Sequence, residues 1–266
     1  MIHSLAVVHS NAKIAENVTI SPFSMIYEDV EIGEGTWIGP NVTIMDGARI
    51  GKNCKVFPGT VISAEPQDLK YEGEKTLTII GDNTVIRECV TVNKGTNALG
   101  YTKIGNDCLV MATAHIAHDC VLGDHVIIVN GVGLAGHIEV DDYAFVGGMT
   151  PVHQFTKIGK HSFIAGASHV RKDVPPYIKA AREPLTYGGV NSIGLSRRGF
   201  SNEKIVEIQN IYRIIFQKSK NVSQALEIIK SEFEVSPERD EIIDFLTKSD
   251  RGIIRSYEGK HEDKGE

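Results

Sequence analysis

Ile104–Leu122 reads IGNDCLVMATAHIAHDCVL, and its aliphatic residues Ile104, Val110, Ile116 and Leu122 stand six apart. The step continues in both directions. From Val8 to Val170 it meets isoleucine, valine or leucine at 25 of 28 positions, the exceptions being Asp68, Glu74 and Ala98. A helix repeats every 3.6 residues, so this period excludes it. Four residues after the aliphatic comes a small side chain, as at Ser24, Thr36, Cys54, Cys108, Ala114 and Cys120. Glycine recurs directly after the aliphatic, as at Gly33, Gly51, Gly105 and Gly123. This is the hexapeptide pattern of a parallel β-helix, in which three units make one triangular coil.

In such a coil the aliphatic and the small residue point inward, and the glycine is expected to relax the backbone near a corner. Cys54, Cys108 and Cys120 fall in the small inward slot and are read as packing residues. The hexapeptide pattern resembles the left-handed class of β-helix, and the handedness is taken from that resemblance. Roughly nine coils at ~4.8 Å each predict a prism about 45 Å tall over residues 1–175. Two polar stretches, 63–79 and 97–103, break the pattern and are expected to loop out of it, where function tends to sit. Pro175-Pro176 ends the repeat, since proline cannot extend a sheet ladder. Residues 176–266 are expected to hold a linker, Tyr177–Phe200, and a small helical domain. Ser201 is placed to cap a helix bearing Ile205, Ile208, Tyr212, Ile215 and Phe216. A second helix is expected from about Ser223 to Phe233. Ser236-Pro237-Glu238 opens a third, through about Thr247. The tail after Arg255 reads as disordered.

The net charge of −6 disfavours a nucleic-acid partner, which needs a basic face. The first residues carry no basic region followed by a long apolar run, and no segment is apolar for long enough to span a bilayer. The four cysteines show no paired spacing, which fits a reduced, cytoplasmic protein.

The repeat also groups histidines. The units beginning at Ile116, Leu134 and Val152 are one coil apart and contain His118, His137 and His153, so these three belong on one face of consecutive coils, with His115 at the corner leading into it. Two chemistries fit such a strip. One histidine can act as a general base near neutral pH. Alternatively, neutral imidazoles can bind zinc, as in carbonic anhydrases of the same β-helix class. A non-catalytic scaffold would leave the grouping unexplained.

AHIAHDC at 114–120, LAGH at 134–137, GGMTPVHQF at 147–155, DVPPY at 173–177 and GLSRRGF at 194–200 resemble the UDP-N-acetylglucosamine acyltransferase family of lipid A biosynthesis. The resemblance spans nearly the whole chain. It implies a cytoplasmic homotrimer without cofactor or metal, with active sites between neighbouring prisms. The expected reaction moves a 3-hydroxyacyl group from acyl carrier protein to the 3-hydroxyl of UDP-N-acetylglucosamine. Carried over motif by motif, His118 matches the catalytic base, Asp119 the carboxylate that orients it, and Gly136 the backbone N–H that stabilises the oxyanion. His115, His137, His153 and Gln154 match the substrate cleft. Asp68 and Lys70, in the QDLKY segment, match residues facing the nucleotide sugar. Asn191, Arg197 and Arg198 match nucleotide and carrier contacts. Gly166 matches the position where the acyl chain ends. Asn93-Lys94-Gly95-Thr96 departs from the family, which often has histidine and arginine before the Gly-Thr. Adjacent strand residues face opposite ways, so Asp119 can reach His118 only near a corner or from a neighbouring chain.

Overall fold

The computed structural model describes residues 1–219 and 221–256. The chain winds into a left-handed parallel β-helix of three flat faces. Face one runs from Val7–Val8 to Pro151–Val152, and face two from Lys13–Ile14 to Lys157–Ile158, eight strands each. Face three runs from Thr19–Ile20 to Phe163–Ile164. Most strands are two residues long, one side chain out and one in. The inward aliphatics Ile38, Ile44, Val56, Ile86, Ile116, Leu122 and Ile128 are fully buried. Each such side chain contributes about 1.5–3 kcal/mol relative to exposure. A partial ninth turn is held by isolated bridges, Val152↔Val170 and Ile158↔Val174.

The corners depend on a backbone conformation that L-residues avoid. The third residue after the inward aliphatic takes positive φ coil after coil, as at Asn41 (56°), Asp107 (53°), Asp119 (58°), His137 (60°) and Tyr143 (61°). Asn, Asp and Gly fill many of these positions because they tolerate the left-handed region. Where a ring stands there, stacking offsets the strain. His125, Tyr143 and His161 lie one above another, with centroids 4.5 and 4.7 Å apart.

The glycines after the aliphatics serve a different purpose from the one expected. Gly33, Gly51 and Gly105 are not at positive φ; a Cβ on Gly105 would sit 2.3 Å from Gly123 O, and one on Gly33 2.6 Å from the Gly51 carbonyl. Close approach of successive coils, not backbone relaxation, requires them. The small inward slot is likewise more than small. Ser24 and Thr36 hydroxyls donate to the carbonyls of Gly39 and Gly51, and the Cys54, Cys108 and Cys120 thiols take the same place against Gly81, Gly123 and Ala135. Burial pushes the Cys108 thiol up to about 11 and that of Cys120 to about 12, so neither is a nucleophile.

The first loop is shorter than expected, and the second lies three residues earlier in the chain. Ladder partners usually lie one coil apart, as in Val121↔Glu139, but Val61 pairs with Thr91 and Leu77 with Tyr101. The first of these rungs is longer than a coil by two hexapeptide units and the second by one. Insertion of whole units is why the phase survives. Val61–Ala64, Leu77–Ile80 and Tyr101–Ile104 are strands, leaving loops at 65–76 and 94–100. Their polar composition hid the paired ends.

Tyr177–Phe200 is not a linker. Ile178–Ala181 pairs with Phe163–Ile164 and turns into an antiparallel hairpin with Thr186–Val190, so face three continues past the prolines. Ile178 and Ala180 are buried, a two-residue alternation too short to register beside the longer repeat. Helix α1 (Ser192–Arg197) follows, then α2 (Asn202–Arg213), which runs on as a π turn at Ile214–Lys218. The Ser201 hydroxyl caps α2. Helix α3 spans Val222–Glu232 and α4 Pro237–Thr247, capped by Asn221 and Ser236. Arg255–Ser256 adds a last strand to face three. The rest of the tail lies outside the described residues.

Candidate active site

The corner from face one to face two carries three columns of residues, each column stepping by one coil. One holds His118, Gly136 and Gln154, the next Asp119, His137 and Phe155, and the third Ala117, Ala135 and His153. The three histidines expected on one face of consecutive coils lie instead at this corner, in three different places of their units, and His115, expected at the corner, lies on the face. His118 and His137 do meet, edge to face, with centroids 5.1 Å apart. His153 is exposed and turns Nδ1 to the Gln154 carbonyl at 3.1 Å. His115 stands outward on face one with Nδ1 2.7 Å from Thr91 Oγ1. Burial first, and then the neighbouring His118, lower its pKa and keep it neutral.

The corner also resolves how Asp119 reaches His118. At φ 58° Asp119 leaves the strand alternation, and its Oδ2 accepts from His118 Nδ1 at 2.8 Å within one chain. Both side chains are buried, His118 at 6% and Asp119 at 3% exposure. The carboxylate also accepts from the Thr96 amide at 2.9 Å and the Thr96 hydroxyl at 2.7 Å. Burial alone would raise the Asp119 pKa. The bonds from His118 and Thr96, with the nearby His137, outweigh it and hold the carboxyl below its usual range. An ionised carboxylate only accepts, so His118 carries its proton on Nδ1 and presents Nε2 as a lone pair. That is the tautomer a general base needs.

Gly136 is flush against this ring. A Cβ there would lie 2.5 Å from His118 Cε1 and 2.7 Å from Nε2. His137 stacks on Phe155 at 4.7 Å, and its Nε2 lies 3.7 Å from Asp119. Burial is the main cause of its lowered pKa, countered by Asp119 and Asp68, so the 65–76 loop brings Asp68 within electrostatic reach of the corner. Lys70 is exposed on the same loop. An open cavity of about 630 Å³ adjoins the dyad, lined in part by Leu99, Asp119, His137, Phe155, Lys157 and Arg251.

The ligand atoms of His118, Asp119 and His137 lie within 4.8 Å of one another, compact enough for a metal. However, Asp119 Oδ2 already accepts from both His118 and Thr96, so an ion there would have to displace the bonds that hold the dyad.

Asn191 and Arg198 are elsewhere. Asn191 Nδ2 donates to His161 O at 3.0 Å, and the Arg198 guanidinium lies 4.4 Å over the Tyr143 ring. Both therefore belong to the next corner, from face two to face three. Arg197 is exposed at the end of α1. Gly166 is exposed at the third corner with ordinary φ, and a Cβ there would press to 3.1 Å on the Gly148 carbonyl oxygen. Sequence reasoning missed Thr96. It was visible only as the end of a departing motif, and its partner is 23 residues away.

The coiled fold and the His–Asp corner define a hexapeptide-repeat transferase. Residues 29–64 and 101–136 match the bacterial transferase hexapeptide family, and 173–254 match domain 2 of UDP N-acetylglucosamine O-acyltransferase. The acyl-[acyl-carrier-protein]--UDP-N-acetylglucosamine O-acyltransferase of Aliivibrio fischeri (strain MJ11) is 49% identical over 255 residues, covering 96% of this chain and 97% of that one. That of Janthinobacterium sp. (strain Marseille) is 45% identical over 260 residues, covering 96% and 99%. Among solved structures, the UDP-N-acetylglucosamine acyltransferase of Bacteroides fragilis superposes with a TM-score of 0.94 at 49% identity, covering 96% of this chain and 100% of that one. The chain belongs to the acyl-[acyl-carrier-protein]--UDP-N-acetylglucosamine O-acyltransferase family.

Proposed function

We propose that this enzyme transfers a 3-hydroxyacyl group from acyl carrier protein to the 3-hydroxyl of UDP-N-acetylglucosamine, the first step of lipid A biosynthesis, with His118 as general base. The observation that carries the mechanism is the buried His118–Asp119 pair with Gly136 pressed against the imidazole. His118 Nε2 takes the proton from the sugar hydroxyl as its oxygen attacks the thioester carbonyl. The Gly136 N–H holds the oxyanion, since no side chain blocks approach to it. Collapse expels the carrier thiolate, which recovers the proton from His118. Acyl transfer from a panel of hydroxyacyl carriers to UDP-N-acetylglucosamine tests the reading, and absence of acylated sugar nucleotide with every donor refutes it. The zinc carbonic anhydrase alternative predicts bound metal and carbon dioxide hydration in the purified protein.

The character of the faces supports a homotrimer. Face two is charged outward, with Lys13–Glu31 and Lys157–Glu139 pairs at 2.8 and 3.6 Å. Faces one and three are different: Val61, Thr91, Gly133 and Pro151 point out from one, and Val85, Leu109, Ile127, Phe145 and Phe163 from the other. Packing face one of each prism on face three of the next closes a head-to-tail ring and covers both apolar surfaces. His118, at the outer edge of face one, then meets the neighbour's corner bearing Asn191, Arg197 and Arg198. Each active site is thus completed by a second subunit, and His115, His153, Gln154, Asp68 and Lys70 line its cleft. No described helix is long and apolar enough to cross a membrane, and we assign the enzyme to the cytoplasm.

An apolar acyl chain fits the groove between face one and the apolar stretch of face three. Its far end is set by Gly166, two and two-thirds coils beyond His118, or about 13 Å up the prism at ~4.8 Å per coil. We expect a long 3-hydroxyacyl donor. Gly166→Met should shorten the preferred chain, costing ~0.8 kcal/mol, about fourfold, for each methylene no longer buried. Ordinary φ at Gly166 avoids backbone strain, but the Gly148 carbonyl must give by a few tenths of an ångström, so thermal melting of the variant is measured beside its donor ranking. Competing donors of graded length check this, and an unchanged ranking rules the position out.

Carrier docking uses local charge, because residues 1–175 hold 13 basic against 19 acidic side chains. Arg171, Lys172, Arg182, Arg197 and Arg198 are exposed near the C-terminal end of the prism. The Michaelis constant for the acyl carrier should rise severalfold as the Debye length shrinks from about 30 Å to about 8 Å between ~0.01 and ~0.15 M salt. A salt-independent value would exclude this patch.

A further inference from the structure

Among the groups the mechanism above does not use, one residue makes two hydrogen bonds to the buried dyad, one from its backbone amide and one from its side chain. The Thr96 amide donates to Asp119 Oδ1 at 2.9 Å and its hydroxyl to Oδ2 at 2.7 Å, the same oxygen that receives His118 Nδ1. The direction of the hydroxyl proton is fixed, because the oxygen accepts from the Ala98 amide at 3.2 Å. Thr96 is itself held. Its carbonyl accepts from Gly100 N at 2.7 Å, closing the 94–100 loop. Gly95 lies flat on Tyr101, where a Cβ would sit 2.4 Å from the backbone. The Gly95 carbonyl accepts from Thr76 Oγ1 at 2.6 Å, so the end of the loop carrying Asp68 buttresses the turn. From the other side, Thr102 Oγ1 accepts from the Asp119 amide at 2.9 Å and pins the left-handed corner.

We propose that Thr96 is the positioning residue of the active site: it fixes the Asp119 carboxylate, and through it the ring of His118, in the orientation that acyl transfer requires. The proposal rests on the reading of His118 as base. The groups facing Asp119 are His118 and His137 at the corner; His115 acts on His118 and Asp68 on His137, and Glu139, Lys157, Asp173, Asp250 and Arg251 line the cavity beside them. None of these replaces a lost hydroxyl donor.

Thr96→Val keeps shape and the amide but removes the hydroxyl. Turnover should fall about tenfold or more, the size expected of one hydrogen bond to a charged group, while the KM for the nucleotide sugar stays within about twofold. The acid limb of the kcat profile should move to higher pH, because Asp119 loses a donor that favours its ionised form. Thr96→Ser should restore turnover and limb together. A Thr96→Val enzyme with unchanged turnover and acid limb overturns the proposal. So does a loss confined to KM, or a loss that serine does not rescue. The carboxylate 13C resonance of Asp119 reads the same shift without catalysis. If the unaltered protein transfers no acyl group, the reaction assigned is wrong, whereas an Asp119 titration unmoved by Thr96→Val removes the role of Thr96 alone.

Discussion

His118→Ala is expected to lower turnover by ~10²–10⁴ while the protein stays folded, the range a general base contributes. The loss should fall on kcat more than on the KM of either substrate, because the proton moves only in the transition state. Folding should survive because the imidazole lies at a corner outside the aliphatic core, and Asp119 keeps both bonds from Thr96. Thermal melting and the oligomeric state establish that the variant is intact. Near-normal turnover from an intact variant would mean that another group removes the proton.

Gly136→Ala should be nearly as damaging, although it adds one methyl group. The new Cβ would stand 2.5 Å from His118 Cε1, against an ordinary carbon–carbon contact of about 3.5–4.0 Å, so the ring must retreat by about 1 Å. A displacement of that size at a reacting group can cost ~10²-fold. The effect should vanish when the ring is absent. In a His118→Ala background, Gly136→Ala should cost little more, because residues in contact are not additive. Equal losses in both backgrounds would mean that the methyl acts on substrate or oxyanion rather than on His118.

The prism was legible because its signal is one-dimensional: a single aliphatic at every sixth position specifies coil, core and corner together. Even the interruptions were marked, since Asp68, Glu74 and Ala98 are the in-phase positions that the inserted units carry away from the core. What glycine does in the repeat was not legible. Its neighbours are the backbone of the next coil, a full turn further along the chain, and no local pattern records them. The hairpin after Pro176 was missed because two short strands, Ile178–Ala181 and Thr186–Val190, carry too few alternations to stand out. At the site, His118 and Asp119 were readable as neighbours in a motif, but the left-handed corner that lets them touch was not. Asn191 and Arg198, matched to nucleotide and carrier contacts, occupy the next corner of the prism from His118, a placement that no spacing in the sequence records.

The spacing of the rungs bears on how the chain reaches this form. Strand partners are mostly separated by a single coil, so each coil needs only the one below it as a template, and winding can proceed as the chain leaves the ribosome. The first loop lengthens one rung on each face by two hexapeptide units, which adds only about half a kcal/mol of closure entropy to closing that coil. Thr96 precedes Asp119 by 23 residues, and Tyr101, on which Gly95 lies, precedes it too. The socket for the carboxylate is therefore synthesised before the carboxylate itself, and the catalytic pair can be seated as soon as its own coil closes.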